Sequence, residues 1–276
     1  SSTFSCLSPR LVLVVAHTSL RGLFMRVRCS AALAQAAPDG YTIGVIISSH
    51  AVNPGLHDSL PYDSEKDFTP ISTLVRMPIA IAVHPSHPAK NFTEFLELAK
   101  RKPGSQMYGS PGVGTAGHLL GVLINERTGA ELRHIPYRGG APALQDLLAG
   151  HITASFHNTN NIDPSVKSGR VRVLAVSSLA RAASLPDVPT ISETLPGFEV
   201  VEWYGMAGPK GMTPETTARL SQEIARVLGI LAKEKKFSAE EGMELKASSP
   251  QEFRAFLDAE LKRWPPIVRK LGLKAE

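Results

Sequence analysis

Only two cysteines, Cys6 and Cys29, occur in the 276 residues, both in the segment with the weakest patterning. Neither a disulfide framework nor a cysteine metal site can organise such a chain. No apolar run approaches the roughly 18–20 residues that span a bilayer. The longest early run, residues 11–16, is too short for the apolar core of a secretory signal, so no signal peptide is read here. Of nine histidines, His84 and His87 lie closest to a ligand pair, yet Pro85 and Pro88 argue against the helix that would align them, and no metal is expected. No Gly-x-Ser-x-Gly elbow surrounds Ser110 and no carboxylate pair shares an obvious site, so no catalytic residue is assigned. Acidic residues are absent before Asp39, where Arg10, Arg21, Arg26 and Arg28 stand alone. The net charge of +5 therefore gathers at the N-terminus, and the remaining chain is nearly neutral. Aromatics are only 6% and form no basic, aromatic-studded face, which excludes a nucleic-acid surface.

What the chain has is an alternation of short apolar runs and amphipathic stretches, with a hydrophobic fraction of 43% and a length sufficient for two domains. It is organised around Tyr108-Gly109-Ser110-Pro111-Gly112-Val113-Gly114-Thr115-Ala116-Gly117-His118. An extended run feeds three glycines and a Ser/Thr pair, then an apolar stretch dense enough for a buried helix. A strand, tight loop and helix N-terminus direct backbone N–H groups and the positive helix end at one spot, which favours an anion.

Residues 1–35 show one short β-like run at 11–15 and no sustained period. Regular patterning starts at the turn Pro38-Asp39-Gly40 with a buried strand at 41–47 that ends in Ser48-Ser49-His50. Two strands are expected at 68–75 and 79–84. Asn91 and Glu94 open a helix that stops at Pro103-Gly104. After the glycine corner, whose helix ends near Gly129, come a strand at 132–137, a helix at 142–148, and a strand at 152–156. The polar cluster His157-Asn158-Thr159-Asn160-Asn161 leads into another helix, then a strand at 171–176. This alternation predicts an α/β fold with a mostly parallel sheet. Thr213-Pro214 opens a helix with the stripe Leu220, Ile224, Val227 and Leu231. Ser249-Pro250-Gln251-Glu252 opens a last one, with Phe253, Phe256, Leu257, Leu261 and Trp264 inward until Pro265-Pro266.

Residues 112–117 match the Gly-x-Gly-x-x-Gly dinucleotide fingerprint between a strand and a helix. The partner acid ending the next strand is missing: Glu131 precedes that strand, which ends in Tyr137-Arg138. Arg138 keeps an NADP-type oxidoreductase open as the alternative. Ser110 and Thr115 read either as turn and cap groups or as anion contacts, and His118 as a helix residue or a ligand contact. Tyr137 divides between core and pocket. Trp203-Tyr204 divides between packing and ligand stacking, and the asparagines at 158, 160 and 161 between caps and contacts. Three strand ends, at Ser48-Ser49-His50, the glycine loop and His157-Asn158, offer donors and little formal charge. Hydrogen bonds to a charged group are worth roughly 1.5–3 kcal/mol each, so neutral dipoles can hold a carboxylate without arginine.

One family carries these residues in this order: Ala37-Pro38-Asp39-Gly40-Tyr41-Thr42, Tyr62-Asp63, Asp67-Phe68-Thr69-Pro70, the glycine corner, and His134-Ile135-Pro136-Tyr137-Arg138-Gly139-Gly140-Ala141-Pro142. Leu185-Pro186-Asp187-Val188-Pro189-Thr190, Trp203-Tyr204-Gly205 and Glu260 to Trp264 complete it. From about residue 36 onward the chain resembles the periplasmic solute-binding proteins of the tripartite tricarboxylate transporter system, also called Bug proteins. The resemblance implies a two-lobed periplasmic-binding-protein fold of type II, with one lobe from 1–104 and 208–276, the other from 105–207, and a ligand closed between them. It implies a monomer in the periplasm that carries a small organic carboxylate to membrane permease subunits, with no catalysis, no cofactor and no nucleic acid. By position, Ser48, Ser49 and Asn53 would line the first lobe. Ser110, Gly114, Thr115 and His118 would cradle a carboxylate, and Tyr137, His157 and Asn158 would shape the floor. Two departures stand out. Residues 1–35 show nothing like the family's opening strand, Pro-Gly-Gly-type loop and helix, and are expected to be foreign to the fold, a change that could leave a relic binding nothing. His157 stands near where amino-acid-binding members are expected to carry an acid, which disfavours an ammonium-bearing ligand.

Overall fold

The computed structural model describes residues 12–15, 22–234 and 242–275. Nine strands and eight α-helices alternate along them. The first lobe's sheet has the order β1 (Val12–Val15), β2 (Thr42–Ile47), β8 (Val201–Pro209), β3 (Phe68–Val83), with β9 (Glu244–Leu245) on the far side of β3. The second has β7 (Arg172–Val176) and β6 (Ala154–Asn158) on either side of β3, followed by β4 (Met107–Ser110) and β5 (Arg133–Pro136). Only β1–β2, β4–β5 and β4–β6 pair in parallel; every pair that β3 or β8 makes is antiparallel. The expected mostly parallel sheet is thus corrected to a mixed one.

The two strands expected at 68–75 and 79–84 are one 16-residue strand. Its Phe68–Pro78 half pairs with β8 and its Ile79–Val83 half with β6 and β7. Pro78 has no N–H for a ladder, and its place is where the strand leaves one sheet for the other. Ser177, fully buried, holds the switch together: its Oγ accepts from the Ile79 N–H at 2.8 Å and donates to the Val200 carbonyl. Residue 104 lies beyond α3 (Phe92–Arg101), and residue 207 lies inside β8, opposite Gly44 and Pro70.

The N-terminal expectation is also corrected in part. β1 lies parallel beside β2, and α1 (Gly22–Ala34) follows, with Leu33 buried in the main core. Ser and Arg hid the apolar period here. Residues 16–21, where the family's glycine loop would fall, lie outside the described residues.

α2 (Ser49–Leu56) and α8 (Pro250–Lys270) pack closely: a Cβ on Gly55 would stand 2.8 Å from Val268 Cβ and 2.9 Å from Pro265 Cα. That contact explains why α8 runs through Pro265-Pro266 rather than stopping there. Burial of Trp264, Pro265 and Val268 against α2 offsets the amide hydrogen bonds that the prolines remove. α7 (Pro214–Lys233) covers the other face of the first sheet beside Ile43, Ile71 and Met206. Of its expected stripe, Leu220 and Ile224 pack there, while Val227 is 44% exposed. Trp203, with no exposed surface, packs edge-on to Phe253 and Phe256, and its indole and that of Trp264 both donate to Glu260 Oε2 at 3.1 and 3.0 Å. These aromatics hold α8 on the sheet.

Candidate functional site

The parallel strands β2, β4, β5 and β6 each end in a helix start: α2, α4 (Ala116–Thr128), α5 (Gly140–Leu148) and α6 (Thr159–Lys167). Register places two of these ends at the middle of β3. Ile47 and Val75 both oppose Tyr204, and Asn158 opposes Ile79, so the ends of β2 and β6 meet from the two sheets across the switch. In open α/β sheets, ligands lie outside such strand ends.

The helix starts differ in their caps. Asn91, Thr115, Thr213 and Ser249 each accept a backbone N–H at the start of α3, α4, α7 and α8. α2, α5 and α6 carry no side-chain cap, so their first amides remain for another acceptor.

At the glycine corner the groups bond to one another. Ser110 Oγ lies 2.7 Å from His134 Nε2 and accepts the Gly112 N–H at 3.2 Å. Thr115 Oγ1 donates to the Gly112 carbonyl at 2.7 Å, and the Gly114 N–H donates to His118 Nδ1 at 3.2 Å. His118 and His134 lie ring against ring with centroids 4.2 Å apart. Burial lowers their pKa values to about 4 and about 3, the neighbouring His118 adding to the effect on His134. Two neutral imidazoles thus brace the loop. Gly114 adopts φ 74°, and a Cβ there would stand 2.5 Å from Leu56 Cδ1 of α2. The fingerprint glycine is therefore covered by the first lobe, and this geometry leaves no open cradle for a pyrophosphate.

Ser48, buried at the head of α2, donates from Oγ to Glu202 Oε1 at 2.5 Å. Asn53 donates to the Tyr62 hydroxyl at 3.2 Å, and its Oδ1 has no protein partner. His50 Nε2 bonds the Ser64 carbonyl at 2.9 Å, its Nδ1 has no partner, and burial lowers its pKa to about 4. Ser49, His50 and Asn53 share with Ser30 a cavity of about 10 Å³, room for about one water. Ser49 and Asn53 are thus turned toward α1.

Tyr137 donates to Asp146 Oδ2 at 2.6 Å; partial burial and that carboxylate push its pKa up to about 12. His157 is buried with Nε2 2.7 Å from Ser155 Oγ, and burial lowers its pKa to about 4. Asn158 stands half-buried at the start of α6. The next residue, Thr159, donates to the Gly242 carbonyl at 3.0 Å.

Sequence reasoning missed Glu202, Ser177 and the bracing role of His134, and it named His50 only as one of the polar groups at a strand end. A lone acid within the apolar run Val200-Val201-Glu202-Trp203 was a signal for the first, since a buried charge needs a partner. Ser177 left none, because its partners come from strands far along the chain. Among the described residues no helix is long and apolar enough to cross a membrane, and no group of His, Cys, Asp and Glu could hold a metal.

Two sheets that exchange one long strand, with helix starts gathered at the exchange, define the class of bilobed solute-binding proteins. The profile described as "Tripartite tricarboxylate transporter family receptor" matches residues 26–273, and the chain belongs to that family. It is 32% identical to the protein BugT of Bordetella pertussis over 246 residues, which is 88% of this chain and 75% of BugT. The structure of Rhodopseudomonas palustris Rpa4515 with adipate superposes with a TM-score of 0.80 at 29% identity, covering 92% of this chain and 85% of that one. MatC from the same organism, with bound malate, gives 0.75 at 26% identity, covering 90% and 85%. The family is one of receptors rather than enzymes.

Proposed function

We propose that this chain captures a small organic carboxylate between its two lobes and presents it to the membrane permease subunits of a tripartite tricarboxylate transporter, working as a periplasmic monomer without a cofactor. The observation that carries the reading is the set of uncapped starts of α2, α5 and α6, those of α2 and α6 following strand ends that lie level with the middle of β3 in the two sheets. Adipate and malate in two related structures support an acid as the solute. The lobe boundary belongs where the chain changes sheets, at Pro78/Ile79 and Val200/Val201, rather than at 104 and 207. Of the ten residues expected by position, Asn158 and His157 stand at an open helix start and are the contacts we retain. Ser48, Ser110, Gly114, Thr115, His118 and Tyr137 act by shaping the walls, and Ser49 and Asn53 by supporting α2.

A thermal-shift panel of mono-, di- and tricarboxylates tests this. A ligand that binds only the folded state adds about 2.7 kcal/mol at a hundredfold excess over its dissociation constant. One acid or a narrow group of acids should raise the unfolding midpoint. A cooperative transition that no acid moves would refute the receptor reading.

A further inference from the structure

His50 and Asn53 stand three residues apart on α2, so their side chains share one face of the helix. His50 is 2% exposed and Asn53 1%. His50 Nε2 lies 2.9 Å from the Ser64 carbonyl, which can only accept, so that nitrogen carries the ring proton. Burial keeps the ring neutral near pH 7, and Nδ1 is left as an acceptor. The Asn53 amide donates an N–H to the Tyr62 hydroxyl, and its Oδ1 can only accept. Neither Nδ1 nor Oδ1 has a protein partner. Both residues border the cavity of about 10 Å³ beside β2, with Ser30 of α1 and Ser49 of α2 completing its polar lining.

We propose that this cavity is a hydration site built into the first lobe, in which one buried water donates a hydrogen bond to His50 Nδ1 and another to Asn53 Oδ1. Two acceptors cannot satisfy each other, and burying either one unpaired is costly. The occupant must therefore bring two donors of its own and be no larger than the cavity, which is the size of a water molecule. The hydroxyls of Ser30 and Ser49 border the same space and offer donors to the water oxygen, which brings it to the usual about three hydrogen bonds. No carboxylate borders the cavity, which disfavours a metal cation there. The Tyr62 hydroxyl, bonded by the Asn53 and Ser30 side chains, closes the network on its other side. Through Ser30 the water joins α1 to α2, so α1 is tied into the lobe by a polar link as well as by the apolar burial of Leu33.

The test is a high-resolution crystal structure of the whole protein, paired with ¹⁵N spectra of the His50 ring in solution. The density should show one isolated peak within hydrogen-bonding reach of both His50 Nδ1 and Asn53 Oδ1, unchanged when rubidium replaces sodium in the crystal. A peak that gains anomalous signal in rubidium marks a monovalent cation and overturns the water. A cavity without a peak, or one closed by a turned His50 or Asn53 side chain, overturns the site altogether. In solution at neutral pH the ring proton should sit on Nε2, and Nδ1 should resonate upfield of a bare ring nitrogen because it accepts a hydrogen bond. A signal at the bare position, or a proton on Nδ1, would refute the proposal without reference to the crystal.

Discussion

Three buried imidazoles, at His50, His118 and His157, and the half-buried His134 have pKa values lowered to between about 3 and about 4, chiefly by burial. In an unfolded chain each would titrate near 6.5. Above that pH both states are neutral and the contribution to stability is whole. Below it the unfolded chain takes up protons that the folded one refuses, so stability falls as pH drops toward 4. The urea midpoint should therefore decline steadily from pH 7 to pH 4.5, and His134→Phe should make the decline shallower. An unchanged slope in the variant would show that the stacked pair does not titrate as described. At this scale the site was only half legible. The hydroxyls of Ser48 and Ser110 could be named from the sequence, but not their use by Glu202 and His134, because those partners arrive through tertiary pairing. Ser177 escaped for the same reason.

Among the elements, α2 and α8 approach closely, and Gly55 permits it. Gly55→Val would drive a branched side chain into Val268 and the backbone of Pro265. Overpacking of this kind costs about 1–3 kcal/mol, and chemical denaturation should read a loss of that size, with far-UV circular dichroism little changed. An unaffected midpoint would mean that the two helices can part freely. Elements with their own caps were legible: the starts of α3, α4, α7 and α8 follow from Asn91, Thr115, Thr213 and Ser249. Elements whose identity depends on neighbours were not. Pro78 reads as a break between two strands because nothing local says that one strand can change partners there. Pro265-Pro266 reads as a stop because the glycine that compensates lies on another helix. β1 was legible as the β-like run at 11–15, but its parallel partner and α1 were not: the pairing is tertiary, and Arg26, Arg28 and Ser30 interrupt the apolar period of α1.

For the whole molecule, the exchange of β3 decides how the chain can be divided. A fragment of residues 79–200 keeps the pairing of β3 with β6 and β7, whereas 105–207 discards the strand at the centre of the second sheet. The longer fragment should unfold cooperatively in a thermal scan and the shorter should not; the opposite result would place the lobe boundary near 104 after all. The contact between Leu56 and Gly114 and the pair Lys270–Glu126 at 2.8 Å link α2 and α8 to α4 across the lobes. The lysine of that pair is largely solvent-facing, and exposed pairs contribute about 0–1 kcal/mol, so the apolar contact counts for more than this pair.

The place of β8 between β2 and β3 also sets a timetable. β2 and β3 are made early, but the strand that joins them is Val201–Pro209. A chain lengthening from its N-terminus holds two unzipped sheet edges until three-quarters of its length has appeared, and such distant pairing makes folding slow. The second sheet, whose strands all lie between, can assemble while the first still waits. β8 therefore acts as a clasp: the first sheet stays open for most of the chain's synthesis and closes late.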